Sequence, residues 1–258
     1  MNRSSLLSRL VCAAIVMACS QAQTNLDHHP QALSRFPFPE KLTYRIEWRM
    51  VTAGVANLEF VRAGSTQWTI NLDLESAGVV NRLYRVQDKY KVSGDDRFCA
   101  SHALLDAQEG KRHNQSRLTF DNSAHKVQFE EQDFVKNRNE KVEIPIVPCT
   151  HEIAGALASL GQMDLSSGKT TMVPITNGRK LVQAKVEAQA KEAVVIDGKT
   201  YQTVRYEAFL FDNVLYKRKG RLFIWLTDDA ERTPVQFRIQ LGFPIGTISL
   251  ELEKQQRL

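Results

Sequence analysis

Residues 217–253 read KRKGRLFIWLTDDAERTPVQFRIQLGFPIGTISLELE. In the middle of this stretch Val235, Phe237, Ile239 and Leu241 alternate with Gln236, Arg238 and Gln240. A period of two puts the apolar side chains on one face of a strand and the polar ones on the other. Ile248, Leu250 and Leu252, alternating with Ser249, Glu251 and Glu253, repeat the device. Residues 221–227 differ, because Leu222, Ile224 and Leu226 share one face while Phe223 and Trp225 occupy the other. That strand is expected to be covered on both sides. Asp228 to Glu231 and Gly242-Phe243-Pro244 are turns by composition. Pro234 has no N–H to give to a ladder, so it belongs at a strand start or edge.

Working outward, the same alternation recurs. Leu42, Tyr44, Ile46, Trp48 and Met50 alternate with polar residues, and after Thr52-Ala53-Gly54 the pattern resumes through residues 55–61 and again through 68–74. Residues 86–92 read as a strand. The polar stretch 98–148 keeps Leu118, Phe120, Val127 and Phe129 in alternation, which suits antiparallel strands with one solvated face. Four more strands are expected at 169–174, 181–190, 192–196 and 201–211, with Asp197-Gly198 as a hairpin turn. Two segments change period. Val79, Val80, Leu83 and Tyr84 share a helical face, which predicts a short helix near 78–85. Thr150 as N-cap, a stripe of Ile153, Leu157 and Leu160, and Gly161 as terminator predict the main helix near 150–161. The fold class is therefore all-β and predominantly antiparallel, a large curved sheet or barrel of roughly a dozen strands.

The 258 residues are 43% hydrophobic and 24% charged, enough for one sizeable core. Arg3 and Arg9 followed by an apolar run at 10–18, too short to span a bilayer, read as an export signal. Val16-Met17-Ala18-Cys19 resembles a lipobox, which would end the signal at 1–18 and lipidate Cys19; Ser20-Gln21-Ala22 offers ordinary cleavage after 1–22. Residues 19–39 then form a tether and 40–258 a single β domain. Ser20 after Cys19 favours a periplasmic protein anchored to the outer membrane. Without Arg3 and Arg9 the chain keeps 32 Lys and Arg against 29 acids, too small an excess to argue for nucleic acid. The basic runs Lys217-Arg218-Lys219 and Gly110-Lys111-Arg112-His113 read as solvated turns, with anionic headgroups or lipopolysaccharide as the alternative. Cys99 and Cys149 read first as a disulfide in an oxidising compartment; two buried thiols are the alternative.

Motifs of catalysis and metal binding fail on inspection. His151-Glu152 lacks the second histidine of H-E-x-x-H, since Gly155 stands there. Ser167-Gly168-Lys169-Thr170 has Met163 where a phosphate loop needs glycine. The adjacent Asp228 and Asp229 fit a solvated turn better than an acid–base pair. No catalytic residue, metal or cofactor is expected.

The C-terminal half resembles the bacterial exported family called domain of unknown function 3108. Residues 217–222, Ile224-Trp225-Leu226-Thr227-Asp228-Asp229, Thr233-Pro234-Val235 and Phe243-Pro244-Ile245-Gly246-Thr247 carry the resemblance, with Leu42 to Trp48, Ala53-Gly54 and Arg82-Leu83-Tyr84-Arg85 upstream. It covers roughly residues 40–253 and implies an envelope-associated β protein, with no activity attached. The function expected is binding without catalysis. A lipid or other apolar ligand would lie in the curved sheet, with Trp48, Trp68, Phe223, Trp225 and Phe237 lining its site. The alternative is a structural or assembly module that recognises another envelope protein or the cell wall. Each of these aromatics is also the kind of side chain that fills an ordinary core.

Overall fold

The computed structural model describes residues 40–258 except 164. Eight strands come first: β1 (Glu40–Trp48), β2 (Val51–Ala63), β3 (Gln67–Ser76), β4 (Val86–Asp95), β5 (Ala100–Glu109), β6 (Arg112–Asp121), β7 (Lys126–Asp133) and β8 (Arg138–Pro145). Helix α1 (Gly78–Leu83) joins β3 to β4, and α2 (Ile153–Gln162) follows β8. Six strands complete the chain: β9 (Thr170–Thr176), β10 (Leu181–Ile196), β11 (Lys199–Ala208), β12 (Gly220–Thr227), β13 (Pro234–Leu241) and β14 (Thr247–Arg257). All fourteen belong to one antiparallel sheet, ordered β8 down to β1 and then β14 down to β9. The first and last strands pair in its middle, from Glu40 opposite Arg257 to Trp48 opposite Ile248. The edges β8 and β9 are successive strands of the chain, joined through α2.

Alternation decides which side chains face which way, and α2 decides which face is concave. Leu42, Ile70, Val92, Ala103, Leu118 and Phe129 lie on one face by register and are almost fully buried. Helix α2 packs on that face at two distant places. Its Glu152 N-cap reaches Tyr90 on β4, while Ile153, Ala156, Leu157 and Leu160 lie against Val173, Val186 and Ala208 of β9, β10 and β11. One helix can touch both only if the sheet rolls around it, as twisted strands in this number do.

The roll is not closed, since β8 and β9 share no ladder. At one end the gap is filled by the segment before α2: His151 bridges Ile175 of β9, and the Ala100 N–H donates to the Thr150 carbonyl. Just beyond the same end of β9, Arg179 in the β9–β10 connection pairs with Glu131 of β7 at 3.0 Å and Glu140 of β8 at 2.7 Å and lies over the Phe129 ring.

Three sequence expectations need correction. The cap of α2 is Glu152, whereas the Thr150 hydroxyl donates to the Val147 carbonyl within the preceding turn. Gly161 is buried inside the helix, which runs on to Gln162. The strands expected at 181–190 and 192–196 are one strand, β10, because the register shift between Ala188 and Lys191 is a bulge that bends the ladder without ending it. Pro234 does open β13, and Asp197-Gly198 is the β10–β11 turn, both residues at positive φ.

Candidate functional site

Helix α2 can sit inside the roll because its sequence is small: Ala154, Gly155, Ala156, Ala158, Ser159 and Gly161 are all buried. A β-carbon on Gly155 would stand 3.0 Å from the Phe98 carbonyl and 3.4 Å from the Trp68 ring, so the helix approaches the wall closely. Its N-terminus is fastened by three bonds. The Cys99–Cys149 disulfide ties the approach to the β4–β5 turn. His151 donates from Nδ1 to the Phe98 carbonyl at 2.6 Å, and its burial lowers its pKa and favours the neutral ring. Glu152 accepts the Gly155 N–H at 2.5 Å on one oxygen and the Tyr90 hydroxyl on the other. Burial raises the Glu152 carboxyl above its usual range; burial, with Glu152 nearby, pushes the Tyr216 phenol up to about 12.

Beneath the helix the concave face changes character. Ile46, Leu58, Leu72, Leu74, Ile239 and Leu250 point the same way as the buried rows but are only partly covered. They are neighbours by register across β13, β14, β1, β2 and β3: Leu250 stands opposite Ile46, and Leu72 opposite Leu58. Gly54 and Ala56 lie among them on β2 and keep the floor low. Tyr90 and Asp88 flank this floor on β4. Burial, with Glu109 nearby, pushes the Asp88 carboxyl up to about 6. The result is a half-open apolar bowl under a buried helix, with tyrosines and the Asp88 carboxyl at its side. The seam behind α2 is a different space. Its accessible volume is about 10 Å³, room for a single water molecule.

The five aromatics expected to line one site do not share a face. Trp68 and Phe237 lie on the concave side, Trp68 at 4.9 Å from the Phe98 ring and Phe237 at 5.6 Å from Tyr44. Trp48 is at the end of β1, its indole N–H donating to the Ile245 carbonyl at 2.6 Å. Phe223 and Trp225 lie on the convex face. Among the described residues arginines, not a second layer, cover them. Arg221 and Arg205 stack over Phe223 at 4.6 and 5.8 Å, and Arg238 over Trp225 at 5.1 Å. Glu192 accepts the Trp225 indole N–H, and Glu207 holds Arg221 at 2.7 Å. The expected cover on both sides of β12 is thus real, but on the outside it is a sheet of guanidinium stems.

Sequence reasoning missed Glu152, Tyr90, Asp88 and the floor. Ile46, Leu72 and Leu74 were visible as apolar positions of strands. Nothing in the chain says that α2 stops short of them. Among the described residues no three His, Cys, Asp or Glu side chains gather as a metal site. Cys19 and the segments 1–18, 1–22 and 19–39 lie outside the described residues.

The fold and the bowl define a class, a rolled and open antiparallel sheet wrapped on an internal helix. The chain belongs to the family described as Protein of unknown function (DUF3108), whose model matches residues 43–253. Among solved structures it is similar to a beta-barrel-like protein of domain of unknown function DUF1849 from Brucella abortus. The TM-score is 0.56 at 12% identity, over 84% of this chain and 97% of that one. A putative exported protein with YmcC-like fold from Bacteroides fragilis matches with a TM-score of 0.34 at 8% identity, over 86% and 97% of the two chains. A DUF1089 family protein from Pseudomonas aeruginosa matches at 0.29 and 11%, over 82% and 95%. No curated protein matches the chain.

Proposed function

We propose that this chain is an exported cell-envelope protein that holds a lipid or other apolar ligand in the bowl beneath α2 and catalyses no reaction. The observation that carries the reading is the change in burial along one face. Apolar side chains are sealed where the helix covers them and accessible where it does not, from Ile239 on β13 to Leu74 on β3. An apolar floor left open to water costs free energy that a ligand with apolar surface recovers, at about 25 cal/mol per Å². The partly covered row reaches the end of the sheet where β1 turns into β2, through Ile46 and Leu74, so an acyl chain could lie on the floor with its polar end outside. The anchor proposed is a lipid on Cys19, holding the domain at the periplasmic face of the outer membrane through the tether 19–39.

Native mass spectrometry of the chain, isolated without detergent, tests this. A lipid-sized adduct that leaves on denaturation and is absent from a Leu74→Glu variant supports the reading. A clean mass that persists after incubation with membrane lipids overturns it.

A further inference from the structure

A meander sends every second connection to the same end of the sheet. The connections β1–β2, β3–β4, β5–β6, β7–β8, β9–β10, β11–β12 and β13–β14 therefore all lie at the mouth of the bowl. Among the described residues these seven connections hold ten Lys or Arg and one acid, Asp212. The opposite end has the reverse balance: besides the buried Glu152 its connections hold five acids, including Asp228, Asp229 and Glu231, and three bases. Lys217, Arg218 and Lys219 are exposed and make no ion pair among the described residues. Two of the ten bases are held by acids of the neighbouring strands, Lys136 by Asp133 at 3.4 Å and Arg179 by Glu131 and Glu140, while Glu75 and Glu109 stand at strand ends.

The basic end is also the apolar end. Of the thirteen large hydrophobic side chains that stand exposed, nine are at or beside these connections. Phe243 is 96% exposed, Met50 95% and Leu83 75%, on three different connections. A groove of about 400 Å³ runs between Arg218-Lys219 and the turn Gly242 to Ile245, so cations and an exposed aromatic border the same space. Apolar tips ringed by Lys and Arg match the boundary of a bilayer, where acyl chains meet anionic phosphates. Among the described residues no helix is long and apolar enough to cross a membrane.

We propose that the end formed by these seven connections docks on an anionic phospholipid surface, with Met50, Leu83 and Phe243 entering the headgroup layer and Lys217, Arg218 and Lys219 on its phosphates. The surface stands whether or not the bowl holds a ligand.

The test uses the full chain carrying Cys19→Ser, so that no acyl anchor contributes, with vesicles of phosphatidylcholine and of an equal mixture with phosphatidylglycerol. The protein is expected to sediment with the mixed vesicles, more weakly as salt rises, and not with the neutral ones. Lys217→Ser/Arg218→Ser/Lys219→Ser reduces partitioning on the order of 100-fold. Met50→Ser/Phe243→Ser reduces it about tenfold or more. Asp228→Ser/Asp229→Ser at the other end leaves it unchanged, and circular dichroism verifies that each variant is folded. Equal sedimentation with both vesicles, none with either, or wild-type partitioning of the folded triple variant overturns the proposal. A chain that docks on anionic vesicles but carries no adduct keeps this surface and loses the ligand reading.

Discussion

Gly178 has a φ of +86°, and a β-carbon there would meet Cδ2 of Phe129 at 2.4 Å. Both facts concern the latch between the β9–β10 connection and β7, where Arg179 also lies over the same ring. Gly178→Ala is therefore expected to lower unfolding free energy by about 2 kcal/mol or more in urea titrations, through backbone strain and a clash that rigid neighbours resist. Asp88 makes a prediction of a different kind. Its folded pKa of about 6 lies above the ordinary aspartate value, so the folded state binds more protons between about pH 4 and 6. Stability then falls as pH rises through that window, and the full penalty is present above it. Asp88→Asn keeps an acceptor for the Gln108 N–H and removes the penalty. Its Tm should exceed that of the wild type at pH 7, by at most about 3 kcal/mol of stability, and match it near pH 3. A variant less stable than the wild type at pH 7 contradicts this account of the bowl.

At the scale of elements, α2 is both the plug of the roll and the roof of the bowl. The chain holds it by its N-terminal side, through the disulfide three residues before Glu152 and through the Glu152–Tyr90 bond. The disulfide closes a separation of 50 residues, worth about 4 kcal/mol in the loop-entropy model. Cys99→Ala/Cys149→Ala should lose stability of that order. Its amide hydrogens at 153–162 should exchange faster relative to those of β1 and β14, because the lost tie is local to the helix. Uniform acceleration across the sheet would assign the bond a global role instead. The existence of this helix was legible in its period, but its cap was not. Glu152 is an unusual N-cap residue, and only the buried Tyr90 hydroxyl explains why a carboxyl serves there.

Across the whole molecule, the sheet is a single meander whose ends meet at β1 and β14 and whose edges meet without pairing. Such a roll has two unlike ends. The connections of one are mostly acidic; those of the other are basic and carry most of the exposed apolar side chains. Leu74→Glu puts a carboxylate directly opposite Asp88, so stability at pH 7 should fall by about 3 kcal/mol, and the variant, verified as folded by circular dichroism, should show no lipid adduct in native mass spectra. If the adduct persists in that variant, the ligand lies elsewhere on the chain.

Alternation along each strand was enough to establish an antiparallel β protein, because the side-chain period of a strand is local and the alternating apolar rows have no other way to be buried together. The turns at Asp197-Gly198 and Pro234 were legible for the same reason: left-handed φ and a missing N–H are properties of single residues. The Cys99–Cys149 pairing was legible because only two cysteines follow Cys19. Which face is concave was decided by tertiary structure alone. So were the arginine cover on Phe223 and Trp225, the edge of the helix roof above Leu72 and Leu74, and the gathering of Met50, Lys111, Lys217 and Phe243 at one end. Each depends on how far the sheet rolls and where α2 comes to rest, which no window of sequence contains.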